Sequence, residues 1–312
     1  MTVPDTERLQ FMQDMQAALS HTPKSISPKY FYDQAGSALF DRICELPEYY
    51  PTRTEAAIFS REMKGMADAL GPVTTLVDLG AGNCEKAARL FETFRVQRYV
   101  AVDISVNYLR DSLACLQREH PEMDMLGVGL DFSASLALPD EIGDGPRTLF
   151  YPGSSIGNFT PVEALAFLRQ VHAASLGGAL LIGVDLVKPT SILEPAYDDP
   201  LGVTAAFNRN MLLHLNRLAG TDFDIADWRH VAFFNLAESR IEMHLEALRD
   251  VRVRWTDGER HFRAGERMHT ENSYKWQLDD FAALLQQAGF SRLRHWTDEN
   301  EWFAVFLGFA GP

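Results

Sequence analysis

A chain of 312 residues with 46% hydrophobic and 23% charged residues holds enough apolar material for one large core or two modest ones, which excludes disorder. Its 29 Lys and Arg stand against 43 Asp and Glu, a formal charge of -14 with no offsetting basic run, so its field repels polyanions and excludes nucleic acid as a substrate. Cys44, Cys84 and Cys115 lack CxxC or metal-ligand spacing, the N-terminal MTVPDTERLQFMQDMQAAL is acidic where a signal peptide is basic, and no apolar run reaches the roughly 18 residues of a membrane span. These features predict a cytoplasmic protein with reduced thiols, no metal and no membrane contact, and we expect a monomer.

In chain order, the first 60 or so residues show no regular alternation. Short apolar runs then follow at TTLVDL (74–79), YVAVD (99–103), 125–128, TLFY (148–151) and ALLIGV (179–184), each ending in a Gly, an Asp or another small residue, as parallel strands buried on both faces do. Helical patterns at 85–94, 106–119 and 161–175 separate them, which gives the βαβ spacing of a doubly wound sheet. From about 194 to 275 the alternation lapses: a helical NRNMLLHLNRL (208–218) precedes HVAFFN, ESRIEMHLEAL and VRVRW, which resemble antiparallel strands. A helix at 279–288 ending at Gly289 and strands at 291–296 and 302–309, joined by the polar TDENE, form a hairpin at the sheet edge. The expected architecture is α/β, with a mostly parallel Rossmann-like core over 61–193 and 278–312. A smaller α+β domain takes residues 1–60 and the insertion 194–277.

The most informative motif is LVDLGAGNCEK (76–86), a buried strand, an acid, Gly-x-Gly and a helix start; glycines there let the backbone pass close to a ligand at the helix N-terminus. A dinucleotide fingerprint asks for a third glycine where Glu85 stands, and a carboxylate suits a diphosphate poorly. Asp78 and Glu85 instead favour the sulfonium and ammonium of S-adenosylmethionine. Asp103 ends the second strand about 20 residues later, placed to accept both hydroxyls of a ribose. Asp131 and Phe132 follow the third strand in LDFSASL and read as an acceptor for an adenine amine beside a ring to pack on its face; the alternative is a helix cap and a core residue.

Five segments carry a resemblance that covers nearly the whole chain: SPKYFYDQAGSALFDRICELPEYYPTRTEAAIF (27–59), DLGAGNCEK, YPGSSIGNFTP (151–161), DLVKPTSILEPAYDDPLGVTAAFNRN (185–210) and GERMHTENSYKW (265–276). They resemble the L-histidine Nα-methyltransferases of the ergothioneine pathway, which convert histidine to its trimethylated betaine, hercynine. The resemblance implies a Rossmann-like class I methyltransferase core carrying a separate substrate domain. It implies that Tyr32, Gly80, Lys86, Asp103, Asp131 and Phe132 hold S-adenosylmethionine, released as S-adenosylhomocysteine, and that Tyr49, Asn158, Tyr197, Met243, Glu271 and Ser273 hold histidine. In that reading Asn158 and Tyr197 take the α-carboxylate, Glu271 and Ser273 pair with the two imidazole nitrogens, and the catalytic residues Tyr32 and Asn158 orient the amine lone pair.

Out of context each residue has a plainer reading: Tyr49 and Tyr50 as packing residues before a proline turn, Glu271 as a solvated loop carboxylate, Asn158 as a helix cap, Lys86 as a surface charge. This chain departs from the family pattern at Asn272, at Tyr274 and in GNCEK. The other functional readings are the same chemistry on another small amino acid or amine, and a cofactor-binding protein without catalysis. Methyl transfer from a sulfonium is an in-line displacement that requires neither a metal nor a covalent nucleophile.

Overall fold

The computed structural model describes residues 24–133, 135–256 and 258–311, and these fall into two compact units. The larger comprises residues 50–188 and 274 onward; the smaller comprises the described residues up to 49 together with 189–273.

The sheet of the larger unit has seven strands in the spatial order Ser291–Thr297, Phe303–Phe309, Ala179–Asp185, Thr148–Tyr151, Thr75–Leu79, Arg98–Asp103 and Asp124–Gly129. The five strands from Ala179–Asp185 to Asp124–Gly129 run parallel, and the C-terminal hairpin adds antiparallel strands beyond Ala179–Asp185. One face of this sheet packs Val77, Val100, Leu149, Leu180 and Ile182 against Phe167, Leu168 and Val171 of helix Pro161–Ala174. The other face packs Leu76, Tyr99 and Leu181 against Ile58 and Met66 of helix Tyr50–Leu70. Those two fully buried side chains place that helix in the core unit, so the observed division falls at 49/50 where the lack of alternation suggested 60/61. The remaining divisions fall at 188/189 and 273/274.

Two local expectations change. The edge strand Asp124–Gly129 is partly exposed, not buried on both faces. Helix Val106–Glu119 lies so close over it that a Cβ on Gly127 or Gly129 would come within 2.7 Å of Leu113 or 2.6 Å of Val106. The helix expected over 85–94 is regular only from Glu85 to Ala88. Beyond it the backbone tightens to i−3 bonds, Leu90 N–H to the Ala87 carbonyl and Phe91 N–H to that of Ala88, which still buries Leu90, Phe91 and Phe94.

In the smaller unit the antiparallel pair Trp228–Asn235 and Arg240–Ala247 joins Arg267–Tyr274, and Lys24–Ser25 adds in parallel to that strand. Helix Val203–Ala219 buries Phe207, Met211, Leu212 and Leu215 against this unit, and Val251–Trp255 pairs with Gly258–Phe262 in a separate hairpin. The early segment and the late insertion thus share one body. Among the described residues no helix is long and apolar enough to cross a membrane.

Candidate active site

In the larger unit the glycine loop is shaped by left-handed backbone: Gly80, Gly82 and Cys84 have φ of 75°, 52° and 63°. Asp103, at the end of the adjacent strand, braces it. Gly82 N–H donates to Asp103 Oδ2 at 3.0 Å, and Ser105 N–H donates to Oδ1 at 2.8 Å. Each oxygen has one backbone donor and keeps capacity for another, the arrangement a ribose diol needs. Beneath the loop Asp78 is buried, with Oδ2 accepting from the Tyr99 hydroxyl at 2.8 Å and Oδ1 without a partner among the described residues. Burial pushes its carboxyl up to about 7 against the Tyr99 hydrogen bond, a shift that a cation bound beside it would reverse. Cys84 is equally sequestered, its thiol pushed up to about 12 by burial. Phe132 stands 3.7 Å from where a Gly80 Cβ would lie and meets Tyr151 edge-on. Asp131 caps no helix, since the next helical turn starts at Asp140; its Oδ1 accepts from Ser133 N–H at 3.2 Å.

Lys86 is not a loose surface charge. Its ammonium meets Glu55 Oε2 at 2.7 Å, and Glu55, 2% exposed, accepts from Gly153 N–H at 2.8 Å through its other oxygen. This carboxylate therefore ties helix Glu85–Ala88 to the YPGSSIGN segment. Asn158 closes the turn Ser155–Asn158 in that segment. The cap of the following helix is Thr160, in a reciprocal capping box with Glu163, which disposes of Asn158 as a cap and leaves its half-buried amide with no hydrogen bond among the described residues.

The smaller unit gathers the remaining residues. Tyr32, Phe40, Tyr49 and Tyr197 form a chain of edge-on rings with centroid separations of 5.8, 6.2 and 6.1 Å. The Tyr197 hydroxyl and Ser273 Oγ lie 2.8 Å apart. Burial pushes the Tyr49 hydroxyl well above its ordinary range, with Tyr197, Cys44, Tyr32 and Glu271 adding to the shift, so it stays protonated. Glu271 and Ser273 are buried on one strand, and buried Met243 lies on its neighbour, so Glu271 is no solvated loop carboxylate. Tyr32, grouped with the cofactor residues in the sequence, thus belongs to the same unit as Tyr49, Tyr197, Met243, Glu271 and Ser273, whereas Asn158 lies in the larger one. Of the departures from pattern, Asn272 accounts for itself locally, its Oδ1 lying 2.9 Å from His269 Nε2; Tyr274 is buried near Trp276 in the larger unit.

The sequence reading missed a buried charge cluster in the larger unit. Asp185 accepts from the Tyr50 hydroxyl at 2.6 Å, Lys188 at 2.5 Å and Lys275 at 2.7 Å. Burial opposes the Asp185 charge, but the two ammonium groups hold its carboxyl below the usual range; Lys188 is pushed down to about 8 by burial. Tyr50, Lys188 and Lys275 each stand within two residues of a point where the chain passes from one unit to the other. The Asp185/Lys188 spacing was the one local hint, since Tyr50 lies 135 residues away from the carboxylate. No group of three or more His, Cys, Asp and Glu is placed to hold a metal among the described residues.

The glycine cradle, the braced Asp103, the partnerless Asp78 oxygen and the Phe132 ring fit a ligand with a cationic centre, vicinal hydroxyls and a flat ring. A family of histidine-specific, S-adenosylmethionine-dependent methyltransferases matches residues 11–309. The histidine N-alpha-methyltransferase of Mycobacterium tuberculosis is 43% identical over 311 residues, covering 97% of this chain and 96% of that protein. Its namesake in Mycolicibacterium smegmatis is 42% identical over 302 residues, covering 95% and 93%. The 4-dimethylallyltryptophan N-methyltransferase of Penicillium roqueforti is 24% identical over 302 residues, covering 91% and 89%.

Proposed function

This chain belongs to the S-adenosylmethionine-dependent, histidine-specific methyltransferases, and on that premise we propose that it methylates the α-amine of L-histidine three times to give hercynine, on the way to ergothioneine or a related betaine. The observation that carries the reading is the buried polar set of Glu271, Ser273, Tyr197 and Tyr49 in the smaller unit, because a carboxylate and hydroxyls buried together suit a polar ring with two nitrogens better than an apolar side chain.

Bound S-adenosylmethionine supplies the methyl group on a sulfonium, and S-adenosylhomocysteine leaves. The chain's part is to bind, orient and exclude water. Asp103 takes the ribose, Asp131 and Phe132 the adenine, and Gly80, Lys86 and Tyr32 complete that set. Glu271 and Ser273 read the imidazole, with Met243 and Tyr49 bounding it. Asn158 and Tyr197 hold the carboxylate, and Asn158 and Tyr32 orient the amine. Each transfer needs the neutral amine, so three protons leave as an ammonium becomes a trimethylammonium; the aromatic rings suit that cation. The substrate is thus a small molecule, and the protein acts as a cytoplasmic monomer with neither nucleic acid nor membrane as partner.

The reading is tested by comparing two variants. Glu271→Ala removes the partner of the ring, so kcat/KM for histidine falls while activity on phenylalanine or tryptophan appears, each lost or relieved buried group counting for about 1–3 kcal/mol. Asn158→Ala lowers all amino-acid substrates together. An unchanged histidine-to-phenylalanine ratio in Glu271→Ala would remove the chemical basis for histidine.

A further inference from the structure

Tyr197 is held at three points within the smaller unit. Its N–H donates to the Glu194 carbonyl at 2.9 Å, its hydroxyl bonds Ser273, and its carbonyl lies 2.8 Å from His230 Nε2. A second tie joins the same turn to the His230 strand, from Phe234 N–H to Glu194 Oε1 at 3.0 Å.

The neighbours of His230 dictate its proton. Asn208, fully buried on helix Val203–Ala219, has Nδ2 3.0 Å from the His244 carbonyl and 2.8 Å from His230 Nδ1. A carbonyl only accepts, so the amide must present its NH2 end there, and the same NH2 donates its other hydrogen to Nδ1. Nδ1 is therefore unprotonated. The Tyr197 carbonyl, also an acceptor only, requires the hydrogen on Nε2. A neutral ring protonated at Nε2 satisfies all three partners; a proton on Nδ1 would set one N–H against another. Burial disfavours the charged ring in the same sense and Arg209 on the helix adds to this, while the Tyr197 carbonyl, Asp198 and Asp199 on the adjoining loop oppose it.

We propose that His230 is a positioning residue for substrate binding: a neutral imidazole clamped between Asn208 and the Tyr197 carbonyl, it fixes the turn that presents the Tyr197 hydroxyl, and acid opens the clamp by protonating Nδ1. The inference rests on the reading of Tyr197 as a substrate residue.

Its test uses the full chain and two substitutions that divide the ring's functions. His230→Gln puts an amide nitrogen near the Nε2 position and keeps a donor for the Tyr197 carbonyl, without titrating. His230→Asn supplies an acceptor near the Nδ1 position and does not reach that carbonyl. Histidine KM rises roughly tenfold in His230→Asn with cofactor Kd unchanged, and stays near the wild-type value in His230→Gln. The ratio of wild-type to His230→Gln KM rises as pH falls below about 6.5, because burial keeps the ring neutral above that value and only the wild type has a ring there to gain a proton. A wild-type KM in His230→Asn, a His230→Gln that behaves like His230→Asn, or a ratio flat with pH each overturns the clamp. Tyr197→Phe separates the two ideas: an unchanged histidine KM there removes the assignment of Tyr197 itself, whereas a raised one beside an unaffected His230→Asn removes only the clamp. Should His230→Asn fail to fold, long-range proton–nitrogen NMR of the wild-type imidazoles decides: a neutral ring protonated at Nε2 for His230 near pH 7.5 supports the proposal, and an Nδ1–H tautomer or an imidazolium overturns it.

Discussion

Gly183→Ala tests the cradle under Glu55, the carboxylate that ties Lys86 to the segment carrying Asn158. Gly183 lies in the strand Ala179–Asp185 opposite Val305, and a Cβ there would stand 2.2 Å from Glu55 Oε1 and 3.0 Å from two ring carbons of Phe303. The strand is held on both sides and Phe303 is fully buried, so Glu55 has to move, and moving it breaks the bond from Gly153. Overpacking costs about 1–3 kcal/mol and loss of a hydrogen bond to a charged group about 1.5–3, together ~2.5–6 of the ~5–15 kcal/mol that a domain commonly has. Urea unfolding followed by tryptophan fluorescence should show a lower midpoint with an unchanged slope, and calorimetry a weaker affinity for S-adenosylmethionine because Lys86 loses its anchor. Glu55→Gln, which keeps the shape and an acceptor for Gly153, should be milder in both. A Gly183→Ala variant within about 0.5 kcal/mol of the wild type would mean that Glu55 is not confined as described.

Three further outcomes follow from the same geometry. Asp103→Ala should weaken S-adenosylmethionine binding by ~1.5–3 kcal/mol in calorimetry and leave histidine binding nearly unaltered; equal losses for both ligands would contradict the assignment to the ribose. Burial lowers the ring pKa of His230, His244 and His269, so their contribution is fully present above the unfolded value of 6.5 and is lost as pH falls below it; Asp78, raised to about 7, works the other way with a single proton against three. Thermal midpoints should therefore drop between about pH 7 and about pH 5, and a midpoint flat or rising over that interval would show that these rings are not buried neutral. Turnover should persist in EDTA, and a loss of activity restored by a divalent cation would refute displacement without a Lewis acid.

The parallel strands were legible because each is a short apolar run that ends in a Gly, an Asp or another small residue, and Asp103 and Gly80 could be placed on strand ends from spacing alone. The insertion was legible as a loss of that alternation. What could not be read was contact between distant residues: Glu55 with Gly153 and Lys86, or His230 with the Tyr197 carbonyl, 33 positions away. Nothing local marks those partners, since a buried carboxylate and a buried imidazole look like surface residues until the fold supplies their donors and acceptors. The expected boundary near residue 60 crosses helix Tyr50–Leu70, because the loss of alternation marks where the strands begin and not which sheet covers the helix before them. The run 85–94 has helical spacing of its apolar residues, and that spacing survives in the tightened turns after Ala88.

Product analysis tests the central claim most directly. The chain is incubated with S-adenosylmethionine and L-histidine, and the products are followed by mass spectrometry and by NMR of the new methyl groups. The account predicts successive gains of one, two and three methyls, all on the α-nitrogen, with hercynine as the end point. A methyl on an imidazole nitrogen, a series that stops before the third methyl, or faster turnover of another amino acid would contradict it.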